Sequence, residues 1–183
     1  MGCPPAVHPF IHIRTPYMSN QAIIDDLTAR FGETLLDIHE PYGMLTLTAS
    51  RDHIIDVLQY LYNHKTFKFQ FLTDITGVHY AELLPGSEFA VVYHLHSWTN
   101  NVRMHIKVFA PAADPVVPTA TGLYASANWM ERETFDFFGI VFRGHPNLTR
   151  VLNMEDMDYF PMRREYPLED QTRHDKIDAY FGR

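Results

Sequence analysis

Between Glu88 and Ala110 two runs of alternating apolar and polar residues flank Asn100-Asn101, a pair that tolerates the positive φ of a tight turn. Such a run is a strand, and two joined this way are an antiparallel hairpin. With Asn100 and Asn101 as the loop, His96 faces His105, Leu95 faces Ile106 and Tyr93 faces Val108. Val91, Tyr93, Leu95, Met104, Ile106 and Val108 then share one face, while His94, His96, Trp98, Arg103, His105 and Lys107 share the other. One face is core and the other polar.

The flanking sequence supplies what covers that core face. Ser19 caps a helix with Ile23, Ile24, Leu27 and Phe31 at helical spacing, and Gly32 stops it. Leu35 to Ile38 and Met44 to Leu47 form a second hairpin across Pro41-Tyr42-Gly43. Ser50 opens a second amphipathic helix through Ile54, Val57, Leu58 and Leu61. Phe67, Phe69 and Phe71 alternate as a further strand, and Asn128 with Glu131 reads as a capping box for a short helix ending at Gly139. The expected fold class is α+β: a largely antiparallel or mixed sheet, helices on one face, and an extended C-terminal arm. Residues 1–18, with four prolines, form an irregular arm; 19–152 form one domain; 153–183 carry no period and form a partner-binding tail.

Composition excludes several functions. With 46% hydrophobic and 20% charged residues the chain has an ordinary globular balance, and its apolar runs are too short for a membrane span. Neither a leader nor a lipid anchor is expected at Met1-Gly2-Cys3, because position 6 is Ala. A cytoplasmic location is the default. A formal charge of -7 without a basic cluster argues against nucleic acid. Cys3, the one cysteine, cannot hold an iron–sulfur cluster, which takes about four ligands.

Three constellations invite chemistry. His94, His96 and His105 on the outer sheet face can present three imidazoles to zinc, as in a hydrolase, although no carboxylate stands out to orient them. Glu131, Glu133 and Asp136 suggest an acid and base pair, but Glu131 and Glu133 diverge around a helix, and Arg132 and Asp136 are spaced to pair with each other. The stretch Gly139 to Arg150, with Gly144, His145 and Pro146, reads equally as a rigid connection or a docking loop.

Ala127-Asn128-Trp129, Glu131-Arg132-Glu133, Asp136, Gly139, Gly144-His145-Pro146 and Arg150, with Arg163-Arg164-Glu165-Tyr166-Pro167 downstream, resemble the signature of the C-subunit family of respiratory NADH:quinone oxidoreductase (complex I). The likeness runs from about Phe71 to Glu169 and departs from the usual pattern at Asn147, Thr149 and Met157. It implies a structural subunit of the hydrophilic arm, without catalytic residues or cofactors of its own, packed beside the large quinone-site subunit and near the small iron–sulfur subunit. FMN, iron–sulfur clusters and quinone would then sit on partners, and the chain would lie peripherally at the cytoplasmic face of the inner membrane. The signature residues would serve the partner interface. The corresponding subunit of a membrane-bound nickel–iron hydrogenase, or of a ferredoxin- or deazaflavin-linked relative, is the alternative within the resemblance.

Overall fold

The computed structural model describes residues 18–81 and 85–166 of the 183-residue chain. Of the arm expected over residues 1–18, residues 1–17 lie outside the described residues, as does the part of the expected 153–183 tail from Pro167 onward.

Helix α1 (Asn20–Phe31) starts where Ser19 Oγ accepts a hydrogen bond from the Ala22 amide and stops at Gly32, whose φ of 46° few other residues adopt at low cost. Ile23 and Leu27 carry its buried stripe. Strands β1 (Leu35–His39) and β2 (Leu45–Ala49) form the expected hairpin, with Ile38 opposite Leu47. Helix α2 (Ile54–Asn63) buries Ile54, Val57, Leu58 and Leu61. Ser50 leads into a single tight helical turn before it, bonding through its carbonyl to the His53 amide rather than capping with its hydroxyl.

Strands β3 (Phe71–His79), β4 (Phe89–Ser97) and β5 (Val102–Ala110) complete a five-stranded sheet of order β1-β2-β5-β4-β3. Only β2 and β5 run parallel, so the sheet is mixed. Ile75 and Tyr93 from the sheet and the stripes of α1 and α2 join one hydrophobic core. Helix α3 (Ala127–Phe138) closes over β3 on that same face, where Gly77 leaves room for Thr134 and Phe138. The α+β class, with helices on one face, is what the alternation implied.

Two further local expectations change. Phe67 to Gln70 is not strand: Lys68 has φ 50°, and the Phe69 amide bonds to Leu61 O, which tucks Phe67 and Phe69 under α2. The β4–β5 loop spans four residues, because Asn100 Nδ2 is occupied with Thr66 O, Phe67 O and Ser97 Oγ. The register therefore slips by two, and His94 faces His105 while His96 faces Arg103. An even slip keeps every side chain on its expected face.

Past Tyr80 the chain adds a small parallel pair, β6 (Val116–Pro118) and β7 (Val141–Arg143), too short to leave a period in the sequence. Residues 144–166 follow without helix or strand. This strap is anchored on its own domain. The Met162 amide bonds to Phe137 O, Arg163 Nε to Phe138 O and the Arg164 amide to His79 Nδ1.

A Cβ at Gly77 would lie 2.6 Å from Phe138 and 2.9 Å from Thr134. Gly77→Ala is expected to lower stability by about 1–3 kcal/mol through overpacking of α3 on β3, read as a lower thermal midpoint of the isolated chain. An unchanged midpoint would mean that α3 shifts there without cost.

Candidate functional site

The residues singled out on α3 divide by burial. Glu131, Thr134 and Asp136 are buried, Arg132 is half-buried and Glu133 is exposed. The capping box does not form: the helix begins at Ala127, and Glu131 turns inward to accept hydrogen bonds from Ala120 N and Thr119 Oγ1. It thereby fixes the turn that leads from β6 toward α3. Burial without a cation pushes its carboxyl up to about 7, against the opposing pull of the Thr119 and Ala120 bonds. The Tyr93 hydroxyl is fully buried with no hydrogen-bond partner among the described residues, and burial with the Glu131 charge raises its pKa too.

Asp136 behaves in the opposite way. Its Oδ2 accepts the amides of Val151, Leu152 and Asn153, and its Oδ1 accepts Asn153 Nδ2 and Arg150 Nη1 at 2.9 Å. Burial raises its pKa, but the three amides and the guanidinium outweigh that and hold the carboxyl far below the usual range. Arg150 reaches on to the carbonyls of Asp136, Met157 and Tyr159. One buried acid and one arginine thus pin both ends of the segment from Val151 to Tyr159. The expected Arg132–Asp136 pair is absent, because Arg132 bonds instead to Thr149 O, Thr149 Oγ1 and Arg150 O while lying 4.7 Å over the Trp129 ring.

The remaining signature residues shape the same strap. Gly139 has φ 74°, and a Cβ there would meet Arg163 and Phe160 within 2.7 Å. Gly144, at φ 88°, turns the chain so that His145 Nε2 donates to Asn128 O and its Nδ1 accepts the Asn147 amide. Pro146 is exposed beside it. Arg163 lies between the rings of Phe89 and Phe160, 5.1 and 4.6 Å from their centroids. Arg164 and Tyr166 are exposed, and Pro167 is outside the described residues.

Pinning the strap leaves its apolar side chains outward. Val151, Leu152, Met154, Tyr159, Met162 and Tyr166 are among the exposed large hydrophobics, with Trp129 on α3. Reading the sequence marks the tail from residue 153, with Tyr159, Met162 and Tyr166, as partner-binding, and misses Val151 and Met154, which have no period. Six of the exposed large hydrophobics thus fall in this one segment.

The histidine face does not assemble as a metal centre. His94 and His105 contact each other with ring centroids 4.3 Å apart, whereas His96 lies against Phe71 and Trp98. Among the described residues no group of three or more His, Cys, Asp or Glu is placed to hold a metal ion.

Glu131 sets the expected pH response. A carboxyl raised to about 7 in the folded chain favours folding while protonated, so this contribution is present below the ordinary glutamate value and is lost as pH rises through 7. Between about pH 4.5 and 7 the thermal midpoint should therefore carry a downward slope, worth up to about 3 kcal/mol, from this group. Glu131→Gln, which mimics the neutral form, should flatten that slope in melts taken across the range. An unchanged slope would assign it to another group.

Residues 47–172 match the family described as respiratory-chain NADH dehydrogenase, 30 Kd subunit. The NADH-quinone oxidoreductase C subunit of Citrifermentans bemidjiense is 40% identical over 165 residues, 90% of this chain and 97% of that protein. The protein of the same name from Roseiflexus sp. (strain RS-1) is 40% identical over 151 residues, 82% of this chain and 86% of its own. Among solved structures, the trypsin-resistant fragment (1-134) of Nqo5 is 33% identical with a TM-score of 0.60, covering 72% of this chain and 100% of that one. A chain of the membrane-bound sulfane sulfur reductase, an archaeal respiratory membrane complex, shares the fold at 21% identity and a TM-score of 0.68, over 81% of this chain and 85% of its own. With a signature read first from the residues of α3 and its strap and a match across more than two thirds of its length, the chain belongs to the 30 kDa subunit family of respiratory-chain NADH dehydrogenase, the C subunit of complex I.

Proposed function

We propose that this chain is a structural subunit of the hydrophilic arm of a proton-translocating NADH:quinone oxidoreductase, and that the strap with the outer side of α3 docks against the large subunit that helps form the quinone site. The observation that carries the proposal is the row of outward apolar side chains from Val151 to Tyr166, held in place by Asp136, Arg150 and Arg163. A lone monomer gains nothing from fixing apolar groups toward water. A subunit gains a prepared contact.

The same reading puts the small iron–sulfur subunit nearby and the flavin, clusters and quinone on partner chains. Cys3 is the one thiol in the sequence, too few for a cluster. No helix among the described residues is long and apolar enough to cross a membrane, which fits peripheral attachment through the complex at the cytoplasmic face. The names of the relatives favour NADH as donor over the hydrogenase and the ferredoxin- or deazaflavin-linked alternatives.

Two measurements test this. Met154 and Met162 are more than half exposed, so a Met154→Asp/Met162→Asp variant should melt near the parent's midpoint yet fail to co-purify with the other subunits when tagged in its native membrane. Normal recovery of the complex would remove the strap from the interface. The isolated parent chain should also show no flavin or iron–sulfur absorbance after mild purification, and a stoichiometric chromophore would contradict a purely structural role.

A further inference from the structure

The helices cover one face of the five-stranded sheet, and the other carries a charge pattern unlike the rest of the chain. His94 and His96 on β4 stand beside Arg103, His105 and Lys107 on β5. None of these five side chains makes a hydrogen bond or ion pair among the described residues. Several arginines elsewhere are used internally: Arg150 on Asp136, Arg51 on Asp114, Arg132 on the carbonyls of Thr149 and Arg150. The chain as a whole has a formal charge of -7; on this face the acids are Asp74 on β3, opposite His94 and bonded to Thr76, and Asp37 on β1, paired with His39, so neither is engaged by the two permanent cations.

One end of the row is apolar. Trp98, at the hairpin tip, is 69% exposed and Phe71 is 41% exposed, with their rings 5.4 Å apart. The His96 ring, itself buried, packs against both, and its Nε2 has no hydrogen-bond partner among the described residues.

We propose that this outer face is a second docking surface, and that its occupant is an acidic segment of a neighbouring protein subunit whose carboxylates meet Arg103 and Lys107 while an adjoining side chain packs on Trp98 and Phe71. Charge complementarity selects the occupant. Two cations four residues apart on one strand suit a short acidic run, whereas lipid headgroup sites in polybasic segments use about 4–8 Lys or Arg. A tryptophan beside an arginine is the composition from which interface anchors are drawn. The proposal rests on the chain's membership in a multi-subunit complex and not on the strap as docking site. It makes the subunit a bridge between two neighbours.

Hydroxyl-radical footprinting of the isolated chain and of the intact complex tests both surfaces in one sample. Trp98 should be oxidised several-fold less in the complex, and this protection should survive removal of lipid by detergent. An Arg103→Glu/Lys107→Glu variant should be lost from the complex at a lower ionic strength than the parent, while the isolated variant melts near the parent's midpoint. Equal oxidation of Trp98 in both samples overturns the proposal. So does protection that disappears with the lipid while all subunits remain, or charge reversal without effect on salt stability. Tyr159 and Met162 report separately on the strap: if they stay oxidised while Trp98 is protected, the strap reading fails and this one stands.

Discussion

Much of the C-terminal third depends on a single buried carboxylate. Asp136 lies in the last turn of α3, where backbone carbonyls already make the surroundings negative, an unfavourable place for an anion unless strong donors surround it. Three consecutive amides, an asparagine side chain and the Arg150 guanidinium provide them. Losing either partner of such a buried pair typically costs about 3–5 kcal/mol, because the other charge is left uncompensated. Arg150 then distributes the constraint to Met157 and Tyr159. A stretch that has no ladder of its own borrows order from the end of a helix.

Glu131, five residues earlier, shows how strongly environment governs the same functional group. It has neutral donors only and no cation, so its carboxyl rises toward neutrality while that of Asp136 falls. From the sequence both looked like helix acids of similar standing. Their separation depends on Thr119, Ala120 and residues 150–153, none of which is near enough in sequence to suggest the contact.

What could be read from the residues followed periodicity. The α1 and α2 stripes, the β1–β2 and β4–β5 hairpins and the two faces of the central strands were legible, because burial on one side of a regular element imposes a repeat. The register of the second hairpin was not, since Asn100 is diverted to Thr66 and Phe67 more than thirty residues away. The β6–β7 pair left no signal in three residues each. At the candidate surface, the charged signature was visible through family resemblance and the tail from residue 153 was legible as partner-binding, but not which of its apolar side chains point outward. They occupy irregular backbone, where spacing carries no information about direction.

The stack of Phe89, Arg163 and Phe160 has a consequence for when the subunit becomes competent. Phe89 must be placed by β4, the space beside Gly139, which a Cβ would fill, must be formed at the end of α3, and the Phe138 carbonyl must be there to accept from Arg163. All three conditions are met only once the central sheet and α3 have come together. A nascent or damaged copy with an unfinished core would have nowhere to seat Arg163, and its strap would not take the shape found here. If the strap is the docking surface proposed above, the geometry would act as a checkpoint on synthesis: that surface would exist only on copies whose interior is already built, which would keep incomplete copies out of a costly multi-subunit assembly.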